Sequence, residues 1–289
     1  MKKINFLVAA VLLLFSSCQK NGGVATVRLH VNNFNVSQEE FPELRSASDV
    51  ADYSGVKAIT LAFYTADGTE QYKVTQMRAD ATNYTTFGEF DLSLPMGSYT
   101  MVVLGYGLND GEPAITLNSP TEATFGDYPA RETFVATQTV NITNTDALEL
   151  NATLNRVVAK HKVLSTDGRT ANANSVRITT SGGSKAFNPS TGLATSNTGF
   201  SNTVNITSTA VGSVAGPVSY LFLATDEQTV NVTIDVLDEN NQTISHKEVN
   251  NVPLQRNRMT KLVGSIFTAS GDGSFQVETE WLPETEVNF

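Results

Sequence analysis

Along most of this chain apolar and polar residues alternate, and this period of two limits the possible folds more than any other feature. In the segment VATVRLHV at 24–31, the apolar residues Ala25, Val27, Leu29 and Val31 are separated by Thr, Arg and His. Successive side chains of a strand point to opposite faces of a sheet. The segment therefore predicts a strand with one buried face and one wet face.

Segments of this kind recur to the end of the chain, and they are rich in Val, Thr and Ile, which suit a pleated, half-buried surface. Turn residues such as Asp67-Gly68 separate them. Many short strands at this spacing predict an all-β fold of sandwiches or barrels. The predicted strands are 24–31, 56–64, 71–76, 88–94, 99–105, 133–142 and 147–154, followed by 157–164, 175–180, 204–208, 218–224, 229–237, 243–249, 260–267 and 274–281.

The length of 289 residues suits about two domains. We therefore expect two tandem β-sandwiches, an N-terminal domain at 24–153 and a C-terminal domain at 154–289. Weak internal similarity supports this division. The hairpin 59–75 is expected to correspond to the hairpin 229–249 in the second half.

The clearest local motif is a strand–turn–strand corner, FDLSLPMGSY at 90–99. Pro95 cannot donate to a strand ladder, and Gly97 tolerates a positive φ, so the chain is expected to turn between them. The segment 248–266, in which Pro253 precedes a polar turn, is the expected counterpart of this corner in the second half.

The first residues are typical of a secretory signal. Two lysines are followed by ten unbroken apolar residues at 6–15, a run too short to span a bilayer, which takes about 20 residues. The run ends in LFSSC at 14–18, which resembles a bacterial lipobox and contains the only cysteine, Cys18. We expect a lipoprotein signal peptide at 1–17, acylation of Cys18 and a flexible tether at 18–23. The alternative is an ordinary signal peptide with an incidental cysteine.

The composition excludes several classes of function. The chain has 19 Lys and Arg against 29 Asp and Glu, a net charge of −10, which argues against nucleic acid as a partner. One cysteine allows no internal disulfide and no Cys-based zinc site, and three histidines leave little room for a catalytic relay. We therefore predict no catalytic residues, no bound metal and no cofactor.

Two features that could indicate a site have simpler explanations. The turns 235–241 and 271–273 carry oxygen ligands for calcium but match no calcium-loop spacing, so they are interpreted as ordinary turns. His161 shares a strand face with Ala159 and Val163, which indicates a histidine at the edge of a core.

Three segments together resemble the fimbrillin family, the lipoprotein-derived pilins and pilus anchors of anaerobic oral and gut bacteria. They are LSLPMGSYTMVVLGY at 92–106, LNRVVAKHKV at 154–163 and NVPLQRNRMTKLVG at 251–264. The resemblance implies two transthyretin-like sandwiches, no catalysis, and assembly by strand exchange with other fimbrial subunits. It also implies a location at the outer membrane, held by the N-terminal lipid, and a host or bacterial surface ligand as a further candidate partner.

In that family a protease cuts after an arginine behind the first strand, and a strand from a neighbouring subunit takes the place of the first strand. The candidate position here is Arg45, so that Ser46 would become the new first residue. The alternative is a surface arginine that is not cut. Few apolar residues follow Trp281, which suits an anchor or accessory subunit better than a stalk subunit that donates a strand. The alternative function is a surface glycan-binding lipoprotein. A glycan-binding surface would require exposed aromatic side chains.

Overall fold

In a computed structural model, which describes residues 23–35, 47–50, 52–268 and 275–279, the chain is all-β, as the alternation predicts. Within these ranges there is no helix, and so none that could cross a membrane. The strands form two β-sandwiches and a small sheet that connects them.

The first sandwich contains seven main strands in two layers. One layer has the order β4-β3-β6-β9, and the other has the order β5-β1-β10, with the short strand β2 beside the end of β1. The layers meet where β9 pairs with β10, over Phe134–Val135 and Asn155–Arg156 alone. The strands are β1 Val24–Asn35, β2 Ala47–Asp49, β3 Ala58–Thr65, β4 Glu70–Met77, β5 Glu89–Pro95, β6 Gly97–Tyr106, β9 Thr133–Ile142 and β10 Leu148–Arg156.

The core of the first sandwich lies between these two layers. Leu29 and Leu92 enter it from the β5-β1-β10 layer, and Leu61, Val103 and Ile142 enter it from the other layer. All five side chains are at most 6% exposed. Burying apolar surface of this kind is the main favourable term in folding, at roughly 25 cal/mol per Å².

The second sandwich is built in the same way. Its layers have the orders β15-β12-β17-β18 and β16-β11-β19-β20, and its core includes Val163, Ile178, Ile234 and Leu262. The strands are β11 Ala159–Ser165, β12 Ser175–Thr180, β15 Phe200–Asn205, β16 Val218–Leu221, β17 Glu227–Leu237, β18 Thr243–Gln255, β19 Met259–Gly264 and β20 Gln276–Thr279.

The seven main strands of the two sandwiches correspond one to one in chain order. In each half the first strand is parallel to the last main strand on one side and antiparallel to the fourth on the other: β1 lies between β10 and β5, and β11 lies between β19 and β16. Beyond these seven strands, the first sandwich has β2, which pairs with β1, and the second has β20, which pairs with β19.

This correspondence corrects the internal similarity expected from the sequence. The corner at Pro95 joins β5 to β6, whose counterparts are β16 and β17, whereas 248–266 lies in β18, β19 and their connection. The hairpin 229–249 is β17–β18, which corresponds to β6 and β9 and not to β3–β4. The corner itself forms as expected, and the Tyr99 hydroxyl donates a hydrogen bond of 2.8 Å to the Pro95 carbonyl.

A small four-stranded sheet joins the halves by pairing a hairpin of each, with Ala186 opposite Thr124 and Phe187 opposite Ala123. It covers a third apolar core, which also buries the outer face of β3 and β6. Phe187 and Phe222 stack in this core with ring centroids 4.1 Å apart. The strands are β7 Thr116–Ser119, β8 Glu122–Thr124, β13 Ala186–Asn188 and β14 Leu193–Ala194.

Candidate functional site

The candidate site is the slot that the first strand fills, which we name the β1 groove. Its walls are β10 on one side and β5 followed by β2 on the other. β1 pairs with β10 from Val27 to Asn35 and with β5 from Val24 to His30. β1, the first strand of the described residues, is therefore an internal strand, hydrogen-bonded along both edges.

Five side chains of β1 point into the first core. Ala25, Val27, Leu29, Val31 and Phe34 are each at most 2% exposed. Burying a side chain of the size of Val, Leu or Phe stabilises by about 1.5–3 kcal/mol, so this strand contributes on the order of 10 kcal/mol of apolar burial. The groove without an occupant would be an open apolar slot with two unpaired edges, which folded proteins avoid.

An irregularity interrupts β1 near its end. Val31 is opposite Ala152 and Asn33 is opposite the next residue, Thr153, so Asn32 is an extra residue in β1. This bulge shifts the alternation by one position, and the last inward side chain is Phe34 instead of residue 33.

Phe34 fills an aromatic pocket at the end of the groove. Its ring centroid lies 5.0 Å from that of Phe134 and 5.8 Å from that of Tyr53. Gly105 forms the floor, and a Cβ added there would lie 2.6 Å from Cε1 of Phe34. A glycine at this position therefore makes room for the ring.

The outer face of β1 carries cross-strand ion pairs. Arg28 lies 2.9 Å from Glu149 on β10 and 3.6 Å from Asp91 on β5, and His30 lies 3.4 Å from Glu89. Hydrogen bonding to Glu149 raises the pKa of Arg28 above its ordinary value. These side chains are more than half exposed, so the pairs add little stability.

Three site residues predicted from the sequence are not among those that the structure describes. Cys18, Arg45 and Ser46 lie outside the described residues, as do the tail from 280 and the turn 271–273. Arg45 and Ser46 directly precede β2 in the sequence, and β2 is the strand that covers the end of β1.

Near the junction of the two halves, the structure places a buried polar network that sequence reasoning missed. Arg156, at the end of β10, lies 2.7 Å from Glu132, and the Tyr53 hydroxyl donates to the same carboxylate at 2.8 Å. Arg156 also donates to the side chain of Asn257 in the second half at 3.2 Å. Desolvation, reinforced by the Glu132 charge, raises the pKa of Tyr53 to about 12. These residues are far apart in sequence, and no local motif signals that they meet.

The histidines do not form a relay with a nucleophile among the described residues. His30 is on the wet face of β1, and His246 lies 2.6 Å from Asp235, with its other ring nitrogen 3.5 Å from Glu248. Asp235 also pairs with Arg177 at 2.7 Å. The described ranges contain no group of three His, Cys, Asp or Glu able to hold a metal ion. In the turn after β17, Asp238 instead accepts backbone hydrogen bonds from Asn240 and Gln242.

His161 lies in the core of the second sandwich. Its side chain is fully buried on β11, and the residues opposite it on the flanking strands, Ser219 and Thr260, carry no charge. Desolvation lowers its pKa to about 4. The histidine is therefore neutral at pH 7.

We expect acid to destabilise the second sandwich through His161. With a pKa of about 4 when folded and 6.5 when unfolded, the unfolded state binds more protons between these values. Protonation of His161 therefore does not affect the free energy of unfolding above pH 6.5. As the pH is lowered from 6.5 to 4, the free energy of unfolding falls by about 3 kcal/mol. Urea unfolding from pH 7 to pH 4 should show this loss, and His161→Leu should lack it. The carboxylates and His246 titrate in both chains and cancel in the difference, so equal pH slopes would contradict the expectation.

One family model matches almost the whole sequence after residue 20. DUF6562, a family of unknown function, matches residues 21–288 of the chain. The chain belongs to this family. No curated protein matches this DUF6562 chain in sequence.

Several solved structures resemble the DUF6562 chain in fold. A candidate adhesin from Bacteroides ovatus is 12% identical with a TM-score of 0.55, over 91% of this chain and 97% of that chain. Another from the same species is 14% identical with a TM-score of 0.50, over 78% and 82%. The fimbrial anchor protein Mfa2 from Porphyromonas gingivalis is 14% identical with a TM-score of 0.47, over 89% and 98%. The two Bacteroides structures confirm the fold that the sequence resemblance predicts.

Proposed function

We propose that this protein is a lipid-anchored, fimbrillin-like structural protein of the cell surface. In this proposal it is an anchor or accessory subunit of fimbriae that are assembled by β-strand exchange. The observation that supports the proposal is the position of β1, an N-terminal strand that is nonetheless internal to its sheet. A strand from another subunit that entered the β1 groove would restore both rows of backbone hydrogen bonds and the apolar core.

The lipid attachment site and β1 lie on the same side of Arg45 in the sequence, so exchange of β1 affects how the protein is anchored. Cys18 precedes β1, and Arg45 follows it. If the Arg45–Ser46 peptide bond is hydrolysed, the acylated segment 18–45 remains attached to the body only through the pairing of β1. Exchange of β1 then removes the lipid from the body. The lipid therefore anchors a cleaved subunit only until β1 is exchanged, whereas an uncleaved subunit keeps its covalent link to the lipid.

Cleavage at Arg45 is tested on protein purified from the cell surface. We expect mass spectrometry to find chains that begin at acylated Cys18 and chains that begin at Ser46. In a detergent phase separation the first kind should enter the detergent phase, and the second should enter the water phase once β1 has been exchanged. Arg45→Ala should abolish the Ser46 terminus, and Arg28→Ala should leave it unchanged. A population that begins only at Cys18 would refute cleavage at this position.

The glycan-binding alternative requires an exposed aromatic surface. Of the aromatic side chains in the described ranges, Tyr128 alone is exposed by more than about a third, at 42%. Affinity gels that contain polysaccharides separate the two functions, because strand exchange predicts no retardation of the protein. The structural proposal is also favoured over catalysis, since His30 and His246 contact carboxylates and His161 is fully buried in a core.

A further inference from the structure

We propose that the β1 groove selects its incoming strand by two features of the strand's sequence. One is a change of phase, meaning a one-residue shift in the alternation of apolar and polar residues, and the other is an aromatic residue near the end of the strand. The pattern is apolar at positions 1, 3, 5 and 7 and aromatic at position 10, as Ala25, Val27, Leu29, Val31 and Phe34 occupy it. The partner is an extended segment of another protein chain with this spacing, running parallel to β10. This inference rests on the proposed function and specifies the partner of the same groove.

The strands that flank the groove require an extra residue, such as Asn32 of β1, in the strand that occupies it. β10 itself runs on without an insertion from Ala152 to Thr153, so the strand in the groove must supply the bulge. The other wall changes strand at the same level: pairing with β5 ends at His30 opposite Glu89, and pairing with β2 begins at Asn33. Any strand in the groove must pass from pairing with β5 to pairing with β2 at this point, and the extra residue gives it the length to do so.

A glycine lies where the partner of β1 changes from β5 to β2. The Val31 amide donates to the Gly88 carbonyl at 2.9 Å, just beyond the β5 pairing. Gly88 has a φ of +94°, and a Cβ added there would lie 2.9 Å from Cγ1 of Val50, the residue after β2. β5 and β2 thus approach each other end to end at a glycine.

The aromatic position is set by the pocket around Phe34. Phe134 and Tyr53 lie within ring-stacking distance, and Gly105 leaves space that a side chain would close. A smaller aliphatic residue would leave a cavity and lose the ring contacts. Aromatic pairs stabilise a structure by more than their buried area alone accounts for.

The test uses the full chain with a site-specific protease sequence placed within 36–46 and then cut, so that β1 remains bound without a covalent link. The cut protein, in excess over a trace of fluorescent peptide, is held in moderate urea so that the peptide can compete with β1 for the groove, and the anisotropy of the peptide measures its bound fraction. The peptides carry residues 24–35 unchanged, with Asn32 deleted, with Phe34→Ala, or in scrambled order. We expect the unchanged peptide to exchange, deletion of Asn32 to weaken binding by at least about tenfold, and Phe34→Ala to weaken it by at least about 100-fold.

The outcomes separate this inference from the function on which it rests. If no peptide enters, the unchanged one included, the strand-exchange function is wrong. If the peptide without Asn32 binds as well as the unchanged one, the phase rule is wrong and strand exchange stands. If Phe34→Ala has no effect, aromatic selection is wrong. The body variant Gly105→Ala adds a reciprocal check, because it should reverse the preference from Phe to Leu at the last position.

Discussion

Truncation of Phe34 to alanine is expected to lower the unfolding free energy of the first sandwich by about 3–5 kcal/mol. The ring is fully buried against Phe134 and Tyr53, and the glycine below it cannot fill the space left behind. The loss therefore combines the transfer free energy of the ring with the cost of a cavity. Because β1 contributes the ring, the loss should appear first as weaker attachment of that strand.

Two measurements check this expectation. Urea unfolding should give the change in free energy, and hydrogen exchange should show faster exchange of the β1 amides than of those in β17 and β18. Val24→Ala is the matched control, since Val24 lies on the same strand and is 54% exposed, so its change should stay within about 0.5 kcal/mol. A Phe34→Ala variant as stable as Val24→Ala would show that the pocket does not hold the strand.

Replacement of Arg156 by alanine is expected to be similarly severe, at about 3–5 kcal/mol. The Arg156 side chain is 3% exposed and that of Glu132 is 13% exposed, so the variant leaves a largely buried carboxylate without its cation. The Tyr53 hydroxyl, which donates to Glu132, cannot neutralise it. The bond from Arg156 to Asn257 is lost as well, so the effect should reach the turn before β19.

The double variant Arg156→Met, Glu132→Gln provides the decisive comparison. Removal of both charges should recover much of the stability, because breaking a buried pair costs more than replacing it. Arg28→Ala is the surface control, and no measurable change is expected there because its two carboxylate partners remain in water. A double variant no more stable than Arg156→Ala would contradict this account of the network.

Alternation in the sequence predicted the strands that have one wet face. β9 and β12 have the predicted bounds, and β1 begins at the predicted residue. The predicted strand 204–208 is displaced, because β15 is Phe200–Asn205, where polar residues are frequent and the alternation is weak. β3 is buried on both faces, since it lies between two cores, and the apolar run in its sequence reflects this position.

Features that depend on contacts across the chain were not predictable in this way. The strands β7, β8, β13 and β14 span two to four residues, too few for a period of two to be recognised. The prolines at 95 and 253 have different roles: Pro95 ends β5, whereas Pro253 lies within β18 opposite Thr229. The phase change at Asn32 depends on where β5 gives way to β2, which a single strand sequence does not encode.

In the proposed function β1 leaves its groove when the protein joins a fimbria, and a covalent lock tests this most directly. Arg28 and Glu149 are opposite each other on β1 and β10, with exposed side chains, so Arg28→Cys with Glu149→Cys can form a disulfide across the parallel pair. Subunits that co-purify with the chain from the cell surface would be measured before and after mild reduction, with the single-cysteine variants as controls. We predict that the oxidised double variant folds but recovers no partner subunits, and that reduction restores them. Recovery of partner subunits with the oxidised lock, equal to that with either single variant, would contradict the claim.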